Sequence, residues 1–398
     1  MRWLLGAALL AAASLAQPFV GPAANGSLVL RPAAGQDVLM DGVSFQSLLD
    51  RLDAQREQIN QLDRQLLMHL TGLKCIAVDT TSIGGLGGAD MWAGGVVAPN
   101  GKIYGIPRNA GSVLIMDPAS NAVDITSMVV SNGGSNWYGG VLAGNGKIYG
   151  MPRNANALLV IDPSTNAVDH TSITVPGGNA KWNFGVLARN GKIYGVPEFA
   201  NSVLIFDPAT NATDTTSMTG LDGSAIKWTG GTLAGNGKIY CMPYVANSVL
   251  IVDPDANTSD TTSMTGFAGI NKWIGGVLGP SGKIYGIPQS ATSVLIIDPA
   301  TNTADTTTMA GLNGATGKWF GGVLAPSGKI YGIPLSATSV LIIDPATNTT
   351  DTTSLTVPSG DLKWRGGVLA DNGKVYGIPA YAHSALIIHS TCTVTGGL

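Results

Sequence analysis

Between Trp92 and Pro379 the chain repeats one unit seven times, and a repeat of this length leaves few folds open. With substitutions the unit reads W-x-G-G-V-L-A-x-x-G-K-I-Y-G-I-P-x-x-A-x-S-V-L-I-I-D-P-A-T-N-x-x-D-T-T-S-M. One glycine per copy marks the period: Gly101, Gly146, Gly191, Gly237, Gly282, Gly328 and Gly373, spaced 45 or 46 residues apart. A period of about 40–50 residues containing four short strand-like runs is the signature of a β-propeller. The expected fold is therefore all-β: a seven-bladed propeller of four-stranded blades over residues 73–398. Fold alone assigns no activity, because propellers host unrelated functions.

Within one unit, the run after the Gly pair suits an innermost strand, with glycine allowing backbones to approach around a central channel. Asn145-Gly146 and Ser281-Gly282 read as tight hairpin turns. Lys-Ile-Tyr-Gly-Ile is the second strand, ended by Pro. Ser-Val-Leu-Ile-Ile is the third, apolar throughout as for a strand buried on both faces. Asp-Pro-Ala-Thr-Asn is a turn, with Asp accepting backbone N–H bonds and Asn tolerating the left-handed conformation. Asp-Thr-Thr-Ser-Met is read as the outermost strand. The seven tryptophans, one per unit, are expected to pack blade against blade rather than to form a ligand ring, and so are the seven tyrosines of the second strand.

The chain's own ends supply a closure. Residues 76–83 match the outermost strand with no blade before them, whereas Trp364 to Ile388 supply three strands and stop. The N-terminal strand is expected to complete the last blade. Cys75 and Cys392 both align with the Thr of Asp-Pro-Ala-Thr, so a Cys75–Cys392 disulfide is expected at that corner. Its loop of about 300 residues would contribute on the order of 5 kcal/mol at most in the chain-entropy account. Cys241 is read as a buried free thiol.

Ahead of the repeats, residues 1–16 read as a secretory signal: Arg2, an apolar run from Trp3 to Ala13, and a small-residue cleavage site at Ser14-Leu15-Ala16. The run is short for a membrane span, so a membrane enters only if this segment is uncleaved. Residues 17–44 read as a linker or small hairpin, with weak alternation from Ser27 to Asp41. Residues 45–72 read as an amphipathic helical stem. Phe45, Leu52, Ile59 and Leu66 take position a of a heptad, and Leu48, Gln55, Leu62 and His69 take position d. Either a coiled coil joining copies through residues 45–70, as dimer or trimer, or one helix packed on its own propeller fits this pattern. The expected location is secreted or at the cell surface.

Charge narrows the partners. The chain carries 22 Lys and Arg against 25 Asp and Glu, a net −3, which gives no basis for nucleic acid as a partner. Six Asp belong to Asp-Pro turns (117, 162, 207, 253, 298 and 344) and seven to outer strands (79, 124, 169, 214, 260, 305 and 351). Six lie in residues 17–74, and six remain: Asp90, Glu198, Asp222, Asp255, Asp361 and Asp371. A catalytic pair or metal cage needs unlike residues converging at one place, and these six are spread over different repeats. The histidines (69, 170, 383 and 389) lack metal-ligand spacing with acidic companions, so neither a metal nor a cofactor is expected.

Positions at which the repeats disagree carry the functional expectation. After the strand-ending Pro stand Arg108, Arg153, Glu198, Tyr244, Gln289, Leu335 and Ala380. After the Trp stand Ala93, Tyr138, Asn183, Thr229, Ile274, Phe320 and Arg365. In a propeller both positions lie on one face, around the channel mouth. Variation on a uniform scaffold fits a recognition surface as well as simple loop drift. Binding residues are expected among Arg108, Arg153, Glu198, Tyr244, Gln289, Tyr138, Asn183, Phe320 and Arg365. Lys181, Lys227, Lys272, Lys318 and Lys363, each before a Trp, would add a basic rim or serve packing. Sequons at Asn211, Asn257 and Asn348, and a fourth at Asn25, would carry glycans if the source glycosylates exported chains; the first three fall on the opposite face.

Residues 191–197 and 201–214, Gly-Lys-Ile-Tyr-Gly-Val-Pro and Asn-Ser-Val-Leu-Ile-Phe-Asp-Pro-Ala-Thr-Asn-Ala-Thr-Asp, resemble the YVTN-type propeller repeat of surface and exported proteins. The resemblance runs over residues 76–390. The Trp-x-Gly-Gly start departs from it and is somewhat kelch-like. These families imply a propeller with protein- or glycan-binding roles and bring no catalytic residue with them. The first functional expectation is thus an exported or cell-surface module binding a protein or glycan ligand. The second is a propeller enzyme (lyase, lactonase or glycan-processing) acting at the channel mouth, and the third a structural coat or matrix protein.

Overall fold

A computed structural model describes residues 76–130, 133–223 and 225–390. It also describes strand residues 19–22, 28–31, 39–40 and 43–44, with Arg51, Ala54, Gln55 and Gln58. The chain divides into two compact units, Met1–Lys74 and Cys75–Leu398.

In the first unit Phe19–Pro22 pairs antiparallel with Leu28–Arg31, and Leu39–Met40 pairs with Val43–Ser44. Two short hairpins thus stand where one, over Ser27 to Asp41, was expected. Arg51, Ala54, Gln55 and Gln58 are helical and exposed. The rest of the 45–72 stem, the 1–16 signal segment, Asn25, Cys75 and Cys392 lie outside the described residues. Among the described residues no helix is long and apolar enough to cross a membrane.

The second unit is an all-β propeller of seven four-stranded antiparallel sheets. Blade 1 runs Trp92–Val97, Ile103–Pro107, Leu114–Met116 and Val123–Asp124, from the channel outward. Blades 2 to 6 begin at Trp137, Trp182, Trp228, Trp273 and Trp319. Blade 7 comprises Trp364–Leu369, Lys374–Pro379, Leu386–His389 and, as its outermost strand, Ala77–Asp79. The closing pair is antiparallel, with Ile388 opposite Val78 and His389 opposite Ala77. One sheet therefore contains both ends of the repeat array, and the ring cannot open without breaking a β ladder.

Each Trp is a device that ties its own blade together and fills the gap to the next. All seven are buried, and each indole N–H donates to the carbonyl 20 residues on, as from Trp92 to Ser112 (2.9 Å) and from Trp319 to Ser339 (2.8 Å). The second-strand tyrosines are buried too, with the hydroxyl of Tyr104 accepting from the amide of Asn100 (2.9 Å). Asn372 of blade 7 reaches Tyr376 (2.9 Å) and also the carbonyl of Pro118 in blade 1 (3.2 Å), a bond across the closure. Burying an aromatic body while satisfying its polar tip removes the main cost of placing Trp and Tyr in a core.

One local reading becomes more specific and one is corrected. The first hairpin is a three-residue loop: Ala98 N–H donates to the Lys102 carbonyl (2.9 Å) and Gly101 N–H to the Ala98 carbonyl (2.9 Å). Gly101 has φ +74°, the left-handed residue such a loop needs. The outer strand ends at the Asp instead of beginning there: it spans Ala167–Asp169 in blade 2 and Thr258–Asp260 in blade 4. The following Thr and Ser fold back on the carboxylate. Asp124 accepts from the Ser127 hydroxyl and from Thr126 N–H (2.7 Å), which hold its pKa down to about 2. Because this pKa is depressed, the stability tied to it is present above the ordinary carboxylate range and is lost as pH falls toward 2.

Ala77 pairs with His389 at the closure, two residues along the chain from Cys75 and three from Cys392. A Cys75–Cys392 disulfide is the expected covalent lock for protein made under oxidising conditions. Peptide mapping with intact mass before and after reduction tests it; free thiols at both positions in oxidised protein contradict it.

Candidate functional site

Every inner strand begins with Trp at the same end of its blade, and every second strand ends with Pro beside it. Residues following these two landmarks therefore collect at one end of the channel. They line a cavity of about 140 Å³ formed by Arg108, Tyr138, Arg153, Asn183, Phe184, Glu198, Ile226, Thr229, Tyr244, Ile274, Gln289, Phe320 and Arg365. All nine residues singled out from repeat disagreement stand in this wall. They do not form an open surface: Tyr138, Asn183, Glu198, Gln289 and Phe320 are buried. Ala93 and Leu335 are buried beside the cavity, in the apolar cluster that contains Tyr138, Ile274 and Phe320.

The floor is aromatic. Tyr138 of blade 2 meets Phe184 of blade 3 edge-on at 5.4 Å between ring centroids, and both lie about 6 Å from Phe320 of blade 6. Blades 3 and 6 face each other across the ring, so these side chains occupy the channel axis. Phe184 sits where the other six blades carry the first glycine of Trp-x-Gly-Gly, and it keeps that glycine's backbone sense at φ +43°. A bulky residue at positive φ is a costly conformation.

On this floor stands a charged cluster confined to blades 7, 1, 2 and 3. Arg153 grips Glu198 with two parallel bonds, Nε to Oε2 (2.8 Å) and Nη2 to Oε1 (2.7 Å). Burial works against the Arg153 charge, but the Glu198 bonds outweigh it and its pKa rises. Asp90 is shared: Arg365 Nε donates to Oδ1 (2.8 Å), and Arg108 pairs with Oδ2. Arg365 Nη1 also donates to the Tyr138 hydroxyl (3.2 Å). The guanidinium of Arg108 lies over the Tyr138 ring at 5.5 Å, and that of Arg365 over Phe320 at 5.4 Å. Burial lowers the pKa of Arg108, and the neighbouring Arg365 and Arg153 charges add to that effect. The remaining wall is neutral: Thr229, Ile274, Gln289 and Tyr244, whose phenol burial pushes up to about 12.

The lysines before each Trp are not a basic rim. All five are buried. Lys181 donates to the carbonyls of Ala155 and Gly178 (both 2.8 Å), Lys318 to those of Ala291 (3.0 Å) and Ala315 (2.9 Å), and the others likewise bond two carbonyls, at least one of them in the second-to-third-strand loop of the preceding blade. They clasp loops, and burial lowers Lys181, Lys272 and Lys318 to about 8.

The leftover acids also differ from expectation. Asp90 and Glu198 are distant in sequence, yet both enter the mouth as partners of arginines. Asp90, Phe184 and Ile226 are the residues that sequence reasoning missed. Phe184 left a readable signal, Trp-Asn-Phe-Gly in place of Trp-x-Gly-Gly; Asp90 left none beyond not belonging to the repeat. Among the described residues no three His, Cys, Asp or Glu side chains gather as metal donors. Asn211, Asn257 and Asn348 are exposed, with φ of 59°, 54° and 55°, in the third-to-fourth-strand turns at the opposite end of the blades.

These features define a seven-bladed β-propeller with a charged recess at one channel mouth. No protein-family model matches the chain, and no curated protein matches it in sequence. Among solved structures it is similar to a streptogramin B lyase, at 11% identity and a TM-score of 0.63 over 79% of this chain and 97% of the other. It is similar to virginiamycin B lyase from Staphylococcus aureus, solved as a catalytically inactive His-to-Ala variant with quinupristin (12% identity, TM-score 0.63, 79% and 99% covered). The extracellular domain of a hybrid two-component system from B. thetaiotaomicron is similar too (11% identity, TM-score 0.57, 78% and 41% covered). At such identities the likeness is one of fold.

The Glu198 side chain is 5% exposed, and Arg153 is its ion-pair partner. Arg153→Ala is expected to cost about 3–5 kcal/mol in urea unfolding, because it strands a buried carboxylate, whereas Arg153→Met with Glu198→Met should recover most of that loss. An Arg153→Ala protein as stable as wild type contradicts this.

Proposed function

We propose that the chain is an exported or cell-surface binding module that takes one group of a protein or glycan ligand into the channel mouth. The observation carrying this reading is the convergence of the variable positions. Where the repeats disagree after the Trp and after the strand-ending Pro, most of the variable residues face one recess, and there they place buried charge and aromatic surface together. What favours recognition over loop drift is that these side chains are mostly buried in the recess rather than exposed on loops. The YVTN-type resemblance of the third strand agrees with a binding role.

Export is supported by the signal-like residues 1–16. The sequons at Asn211, Asn257 and Asn348 would place sugars away from the mouth and leave it free. A helical stem over residues 45–72 would present the propeller singly or as an oligomer. The enzyme reading has less support. The lyase to which the fold is similar is inactive as a His-to-Ala variant, and among the described residues no histidine lines the recess.

An array of immobilised glycans and proteins, probed with the full chain, tests the reading. Tyr244→Ala and Gln289→Ala at the mouth should each weaken capture about tenfold, as expected of anchors in a desolvated pocket. Lys238→Ala, in the first hairpin of blade 4 at the opposite end, should leave capture unchanged. Capture lost with Lys238→Ala and kept with the mouth variants places recognition on the other face.

A further inference from the structure

We propose that Arg108 and Arg365, which share the single carboxylate of Asp90, form an anion subsite that accepts one carboxylate group of the ligand. This rests on the channel mouth being the binding site.

The cluster holds three guanidiniums (Arg108, Arg153, Arg365) against two carboxylates (Asp90, Glu198), and their side chains are 5–18% exposed. Both carboxylate bonds of Glu198 come from Arg153, and its pull on Arg108 is only through space, so the surplus positive charge falls mainly on the pair around Asp90. An unmatched charge out of water is costly, and a bound anion offsets that cost. Hydrogen bonding agrees with this: among the described residues the buried Nε and Nη1 of Arg108 have no hydrogen-bond acceptor, Nη1 being only ion-paired to Asp90 Oδ2. A guanidinium presents parallel N–H donors that match the two oxygens of a carboxylate.

Size and valence narrow the ligand. One surplus charge is balanced by a monoanion, whereas a phosphate dianion would overshoot. The cavity, at about 140 Å³, is smaller than the few hundred Å³ of a site enclosing a whole drug-sized ligand. It therefore suits a terminal acidic group, with the rest of the ligand outside. The neutral wall of Thr229, Gln289 and Tyr244 meets the uncharged side of that group.

Asp90 supplies an unusual control. Its φ of +54° is one that asparagine tolerates, so Asp90→Asn keeps the backbone while leaving two guanidiniums without their carboxylate. Calorimetric titration at low ionic strength, with acetate, D-glucuronate, phosphate and neutral glucose as probes, reads the site; thermal melts confirm that each variant is folded. Acetate and glucuronate should bind wild type about tenfold or more tighter than glucose, Arg108→Gln should remove that preference, and Asp90→Asn should strengthen it. Any of three results overturns the proposal: carboxylates bound no better than glucose, phosphate preferred over acetate, or folded Asp90→Asn binding carboxylates more weakly. Array capture that depends on Tyr244 but is indifferent to Arg108→Gln also removes the subsite, while leaving the channel-mouth reading in place.

Discussion

The closest constraint in this molecule is the approach of its inner strands around the channel. A Cβ on Gly230 would lie 2.7 Å from the Cα of Gly275, one on Gly275 3.1 Å from that of Gly321, and one on Gly366 3.4 Å from that of Gly94. Backbone thus meets backbone around the axis, with these glycines in the left-handed region. Seven blades can share one axis because this seat holds almost no side chain. The Trp preceding each seat then fixes the radial position of its blade, and the residue between Trp and Gly is left pointing into the channel.

From that constraint the site follows. The position between Trp and Gly is where inner-strand side chains vary most between blades, and it carries Tyr138, Asn183, Ile274, Phe320 and Arg365. Phe184 breaks the pattern in one seat, and its ring joins Tyr138 and Phe320 across the channel. The plug so formed is the low-dielectric floor on which the arginine–carboxylate cluster rests, and there each charge interaction counts for more than it would on an open surface.

Much of this was legible in the sequence because a repeat reports on itself. The blade count, the completion of blade 7 by Ala77–Asp79 and the face shared by the variable positions all follow from aligning copies. Readings that concerned one residue's surroundings were harder. The lysines before each Trp looked like a charged rim, yet backbone carbonyls claim them, and a carbonyl acceptor leaves no trace in sequence. Asp90 and Glu198 looked scattered because their separation along the chain hides the fact that the ring closure and blade 3 meet the same mouth. The outer-strand Asp looked like a strand start because a carboxylate folding onto the next two residues spells the same letters as an extended segment.

The glycine ring is the claim on which the rest stands, and thermal unfolding of Gly230→Ala tests it most directly. The added methyl meets the neighbouring backbone in a left-handed conformation, so a loss of about 2–4 kcal/mol is expected. Gly144→Ala, in the exposed first hairpin of blade 2 with nothing within 4 Å of the added Cβ, should melt like wild type. A Gly230→Ala protein as stable as the Gly144→Ala control would mean that the inner strands are not held at backbone contact, and the account of the channel and its mouth would fail with it.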